Sequence, residues 1–156
     1  MMDSEEMPED LVKLIGGARP VFVAQVSKVN DHYDWQNRFI VVTFTRFYNV
    51  KKGKLFGKWS IRRDFEIDHI QGIVLRPCVG EFLLKINAQV SGDYRYRADC
   101  GQHLADSLVR LRGHLRVWQV TVDLDVYHRM KKHAARADIF ATESSAHSTP
   151  RNRLKS

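Results

Sequence analysis

Cysteine is scarce in this chain: Cys78 and Cys100 are the only two, and they lack CxxC spacing. Neither a disulfide framework nor a zinc site is implied, and both read as reduced, half-buried thiols. Long apolar runs are missing as well. None approaches the roughly 20 residues that span a bilayer, and the N-terminus is acidic where a signal peptide would be basic and then apolar. The expectation is a cytoplasmic protein, peripheral at most to a membrane or the cytoskeleton. Catalytic signatures are absent too. The seven histidines show no HExxH or paired-ligand spacing, and no GxSxG, P-loop or dinucleotide fingerprint occurs. Asp123 and Asp125 share one face of an alternating segment, but no Gly-rich loop or neighbouring His completes a cation or acid–base site. A non-enzyme without metal or cofactor is expected.

The most informative absence is of negative charge. From Trp35 to Arg63 there is no Asp or Glu, while eight bases occur: Arg38, Arg46, Lys51, Lys52, Lys54, Lys58, Arg62 and Arg63. A solvated face normally mixes both signs, so a one-signed stretch points to an anionic partner. The 156 residues, 44% hydrophobic, suffice for one core plus tails, and the formal net charge of +7 fits the same partner class.

Five acids, no base and a proline in residues 1–10 mark 1–17 as an acidic, flexible leader. At the other end, residues 134–156, rich in Ala, Ser, Thr and bases, read as a disordered basic tail. Between them the pattern has a period of two, with β-branched and aromatic residues. Strands are expected at Val21 to Val29, in two pieces from Trp35 to Val50 with a reversal near Thr43 to Arg46, and at Lys58 to Ile67. Gln71 to Pro77, Glu81 to Ala88 and Asp93 to Asp99 complete the set. The glycines of KKGKLFG (Lys51 to Gly57) make a turn. The period then changes. Leu104, Leu108, Leu111 and Leu115 fall at i, i+4, i+7 and i+11 of one amphipathic helix, with Asp99 placed as N-cap and Gln102 as third helical residue. Val120, Val122, Leu124 and Val126 alternate with polar residues, so 117–133 reads as an extension carrying an extra strand, open to pairing with the sheet or a second chain.

The expected fold is therefore mainly β with one C-terminal helix, and dense short strands suggest a sandwich or barrel. Its order resembles the pleckstrin-homology superfold, a seven-stranded orthogonal sandwich plugged by an amphipathic helix, here over 18–116. WQNRFIVV (Trp35 to Val42) resembles the second strand of such domains, and FTRFYNVKKG looks like the third. RFIVVT, RRDFEIDHIQGIVL (Arg62 to Leu75), EFLLKIN and GDYRYRAD, followed by the helix, are similar in order and spacing to the tail homology domain of class I myosins, a phosphoinositide-binding module. The resemblance covers roughly Val21 to Leu115.

In lipid-binding members of that superfold a Lys late in the first strand and a basic-x-Arg triplet early in the second hold the headgroup phosphates. The resemblance places Lys28 and Arg38 in those roles, while Gln36 departs from the triplet's first basic position. Arg suits phosphate through its two-pronged donor geometry and Lys as a mobile point charge. Arg46 and the Lys51, Lys52 and Lys54 loop would meet further phosphates or the negative potential of a bilayer, where each cation contributes about 1 kcal/mol. The implied function is a non-catalytic adaptor for an anionic phospholipid or inositol phosphate. The alternative is a protein-interaction or cytoskeletal scaffold docking at the helix or at the edge offered by Val120 to Val126. A plain solubilising surface is the bland reading of the same charges. Interleaved aromatics such as Trp35, Phe39 and Phe47 are better explained as core than as base-stacking platforms, and no RNP-like string occurs, so nucleic acid is disfavoured.

Overall fold

The structure is a computed structural model, which describes residues 7–130. Eight strands form one continuous sheet: β1 (Phe22–Val29), β2 (Trp35–Val42), β3 (Arg46–Lys52), β4 (Trp59–Glu66), β5 (Ile70–Arg76), β6 (Glu81–Ile86), β7 (Tyr94–Arg97) and β8 (Arg116–Gln119), in the spatial order β4-β3-β2-β1-β7-β6-β5-β8. The first seven pair antiparallel wherever they meet, and β1 joins the two halves through Ser27↔Arg97 and Lys28↔Tyr96. The sheet does not close, because β4 and β8 are its two ends. The fold is the mainly β architecture expected, with helix α2 (Gly101–Leu111) in its C-terminal half.

The sheet wraps one apolar core. Alternate residues of β1 and β2 enter it, Phe22, Ala24 and Val26 beside Ile40 and Val42, and they meet Phe47, Phe65, Ile73, Phe82, Leu84, Tyr94 and Tyr96 from the other strands. The helix closes this core with Leu104, Ala105, Leu108 and, beyond its end, Leu115. Its first residue lies so close to the sheet that a Cβ on Gly101 would stand 3.0 Å from Phe82 and 3.2 Å from Leu75. Arg112 fixes the other end by donating to the carbonyls of Ile67, Asp68 and Ile70. The helix begins one turn position later than Asp99 would set it: Cys100 is the N-cap and supplies no side-chain bond. Cys78 is exposed, contrary to its reading as half-buried filler.

Two further differences follow from packing. Residues 9–14 of the expected leader form a short helix, α1 (Glu9–Leu14), introduced by Pro8. Met7, Leu11 and Ile15 recur every four residues and cover the outer face of the first half-sheet, against Val23, Val41, Tyr48, Val50 and Trp59. Acid-rich composition hid this stripe. The extra strand is also displaced: it is β8, and it runs parallel to β5 with Gly72↔Arg116 and Val74↔Trp118 in register. Gly72 is what lets it dock, since a Cβ there would lie 2.5 Å from the Trp118 ring. Past β8, Leu124–Val126 is a 3-10 turn, with Val120 and Leu124 buried and Val122 and Val126 exposed. No strand edge exists at Val120 to Val126, so the docking edge expected there is corrected. The basic tail lies outside the described residues. Among the described residues no helix is long and apolar enough to cross a membrane.

Candidate functional site

The wrapped face changes character at one end. Along β1 the inward series Phe22, Ala24, Val26 continues to Lys28, and along β2 the inward series Val42, Ile40 continues backward to Arg38 and Gln36. The antiparallel register, Lys28↔Gln36 and Val26↔Arg38, makes these neighbours. On β3 the inward residue after Phe47 is Asn49. All four line a cavity of about 270 Å³ together with Asn30 and Asp31 of the β1–β2 connection and Arg62 and Arg63 of β4. Among the described residues the cavity thus holds four cations against one carboxylate.

Adjacent residues of a strand normally face opposite ways, so two consecutive arginines in one cavity need a local cause. A β-bulge supplies it. Asn49 pairs with Arg63 but Val50 pairs with Ile61, leaving Arg62 as the extra residue. Before the bulge Trp59 and Ile61 pack on the outer face under α1, and after it Phe65 and Ile67 enter the inner core. The switch of face between Ile61 and Phe65 turns Arg62 and Arg63 to the same side.

Lys28 and Arg38 are buried. The Lys28 ammonium sits 4.7 Å from the centroid of the Tyr94 ring and donates to its neighbour's carbonyl, Val29 O, at 3.2 Å. Arg38 donates from Nη1 to Asn37 O at 2.7 Å and from Nη2 to Gln36 Oε1 at 2.6 Å. Gln36, the departure from the basic triplet, therefore braces the guanidinium with a neutral acceptor. Burial, reinforced by repulsion from Arg62, pulls the Arg38 pKa below its ordinary value. Among the described residues Arg38, Arg62 and Arg63 form no ion pair with a carboxylate. Asn49 is almost wholly buried, and neither its Oδ1 nor the buried Tyr96 hydroxyl has a hydrogen-bond partner among the described residues. Burial holds that phenol well above its usual pKa, so it stays neutral.

The remaining sequence candidates lie elsewhere. Arg46 is paired with Asp64, Nη2 to Oδ2 at 2.6 Å, and does not line the cavity. Lys51, Lys52 and Lys54 are exposed at the end of β3 and in the loop after it. Lys52 reaches over the Trp59 ring at 5.4 Å. Arg62 and Arg63, singled out by sequence only for their charge, belong to the cavity. Asp123 and Asp125 form no cation site, since both pair with Arg95. Arg95 also binds Glu81, whose other oxygen takes Arg97. Burial works against the Glu81 carboxylate, but hydrogen bonds from Arg97 and Arg95 outweigh it and hold its pKa low.

No family model and no curated protein matches the chain, so the likeness to the myosin tail domain rests on sequence pattern alone. Solved structures do resemble it. The Slm1 PH domain in complex with D-myo-inositol-4-phosphate aligns at a TM-score of 0.45 and 10% identity, over 59% of this chain and 94% of that one. The same domain in complex with phosphoserine gives 0.48 and 11%, over 60% and 96%. Vav1, solved with an allosteric inhibitor, gives 0.47 and 11%, over 69% of this chain and 29% of that one.

Proposed function

We propose that the protein is a non-catalytic adaptor whose cationic cavity binds an anionic phosphate group, that of a phosphoinositide headgroup at a membrane surface. One observation carries this reading: Lys28, Arg38, Arg62 and Arg63 converge on one cavity in which Asp31 is the sole carboxylate among the described residues. Arg38 is buried and forms no ion pair with a carboxylate among the described residues, and burying a charge that way is costly. A phosphate would supply the missing negative charge and accept several charge-assisted bonds at once. At about 270 Å³ the cavity lies just below the range of about 300–1,000 Å³ usual for small-molecule sites, which suits a headgroup rather than a larger ligand. Asn49 Oδ1 offers an acceptor for a hydroxyl of the same ligand, complementing the donors.

The test is calorimetric titration with soluble inositol phosphates beside co-sedimentation with vesicles containing phosphorylated inositol lipids. Lys28→Ala with Arg38→Ala should abolish the titration signal and weaken the co-sedimentation, with thermal melting used to show that the double variant is folded. Undiminished binding by the folded double variant would overturn the site assignment.

A further inference from the structure

The loop joining β3 to β4 exposes two large apolar side chains: Leu55 is 79% and Phe56 102% exposed. The loop is a closed reversal, Gly53 N donating to Lys58 O at 2.7 Å, so the pair stands at a fixed tip. Phe56 and Gly57 both adopt left-handed backbone, φ 61° and 59°. Glycine does this freely and a bulky aromatic does not, so Phe56 is strained while burying nothing. Lys51, Lys52, Lys54 and Lys58 surround the tip, all exposed. In an antiparallel sheet the β3–β4 and β1–β2 connections lie at the same end, which is the end where the cavity opens. Tyr33, 59% exposed at φ 65°, stands on the β1–β2 connection.

We propose that the β3–β4 loop is a membrane wedge: Leu55 and Phe56 enter the hydrocarbon of an anionic bilayer while the four lysines lie among its headgroups. A projecting apolar tip ringed by cations matches an anionic interface in both polarity and charge, and fluid lipid needs no preformed pocket to receive it. The proposal rests on the reading of the cavity as a headgroup site, because the wedge would hold that cavity against the membrane.

The experiment uses the full chain, with soluble inositol phosphate and three vesicle types: phosphatidylcholine alone, with phosphatidylserine, and with both phosphatidylserine and a phosphorylated inositol lipid. The variant is Leu55→Ser with Phe56→Gly, and the glycine relieves the backbone strain, so the melting temperature should not fall. Losing two inserted side chains should weaken partitioning onto phosphatidylserine vesicles by at least about tenfold and leave the affinity for soluble inositol phosphate unchanged. Partitioning within twofold of the original protein overturns the wedge. So does an original protein that binds soluble phosphate but no vesicle, which would assign the tip to a protein partner. Binding to phosphatidylserine vesicles that the double variant loses, without any soluble inositol phosphate binding, would uphold the wedge and remove the cavity reading.

Discussion

Replacing Arg62 and Arg63 by alanine separates ligation from folding better than any other change in the cavity. Both are exposed and make no ion pair among the described residues, whereas Lys28 and Arg38 are buried and tied to their surroundings. A hydrogen bond to a charged group contributes about 1.5–3 kcal/mol, and solvent exposure argues for the lower bound. Each single variant should then lose roughly tenfold in affinity for a soluble inositol phosphate. The double variant should lose somewhat less than the product, because neighbouring residues sharing one ligand are not additive. Stability should stay within about 0.5 kcal/mol, and removing Arg62 should let the Arg38 pKa rise, since repulsion by Arg62 helps to lower it. Calorimetric titration at two salt concentrations is the assay, with Lys51→Ala plus Lys54→Ala as a comparison pair outside the cavity. A double arginine variant that binds as tightly as the original protein, or that loses no more than the lysine pair, would refute the role given to the bulge.

Three other outcomes are expected. Leu11→Ala should cost about 2–5 kcal/mol in urea unfolding, since Leu11 is wholly buried between α1 and the sheet; a loss under 1 kcal/mol would show that α1 does not hold. Glu81→Gln should cost about 3 kcal/mol, because it breaks a buried ion pair that Asp123 and Asp125 compensate only in part. Since the folded Glu81 pKa is depressed, its contribution is complete above the ordinary value near 4.5 and is lost as pH falls through the folded value. Melting curves of the Gln variant should accordingly be flatter on the acid side, and equal slopes would disprove the linkage. Tyr96→Phe removes a buried hydroxyl without a partner and should leave stability unchanged or raise it by about 1 kcal/mol; a loss exceeding 1 kcal/mol would reveal a bond to that hydroxyl.

Period-two patterning located the first seven strands because each presents one side to the wrapped core, and the leucine spacing located α2 for the same reason. β4 shows where such reading stops. Trp59, Ile61, Phe65 and Ile67 are all odd-numbered, with Arg63 the one polar residue in the series, yet the first two face α1 and the last two face the inner core. With both sides of the strand covered, a bulge that swaps them leaves the parity of the apolar positions unchanged on either side of Arg63. The pairing of Arg62 with Arg63 in one cavity was thus hidden, although their charge was plain. Lys28 and Arg38 are brought together by the resemblance alone, and the end-to-end pairing of β1 and β2 makes them neighbours in the structure. The misplacement of the extra strand has another origin: Val120 and Leu124 are buried four apart at a turn, and their spacing is also a multiple of two.

The segment after β8 bears on where the molecule could be shortened. Asp93, fully buried, receives Lys85, Arg129 and the amide of Ile86, while its own amide donates to Arg129 O. Val120 and Leu124 cap Val74 and Leu83. Trimming at Leu115, the boundary a seven-strand domain would suggest, would uncover Val74 and Leu83, leave Asp93 without its guanidinium and open a flank of β5 to self-association. A fragment that keeps Met7 through Arg129 retains these contacts, and one cut at Leu115 should unfold at a lower urea concentration than the full chain.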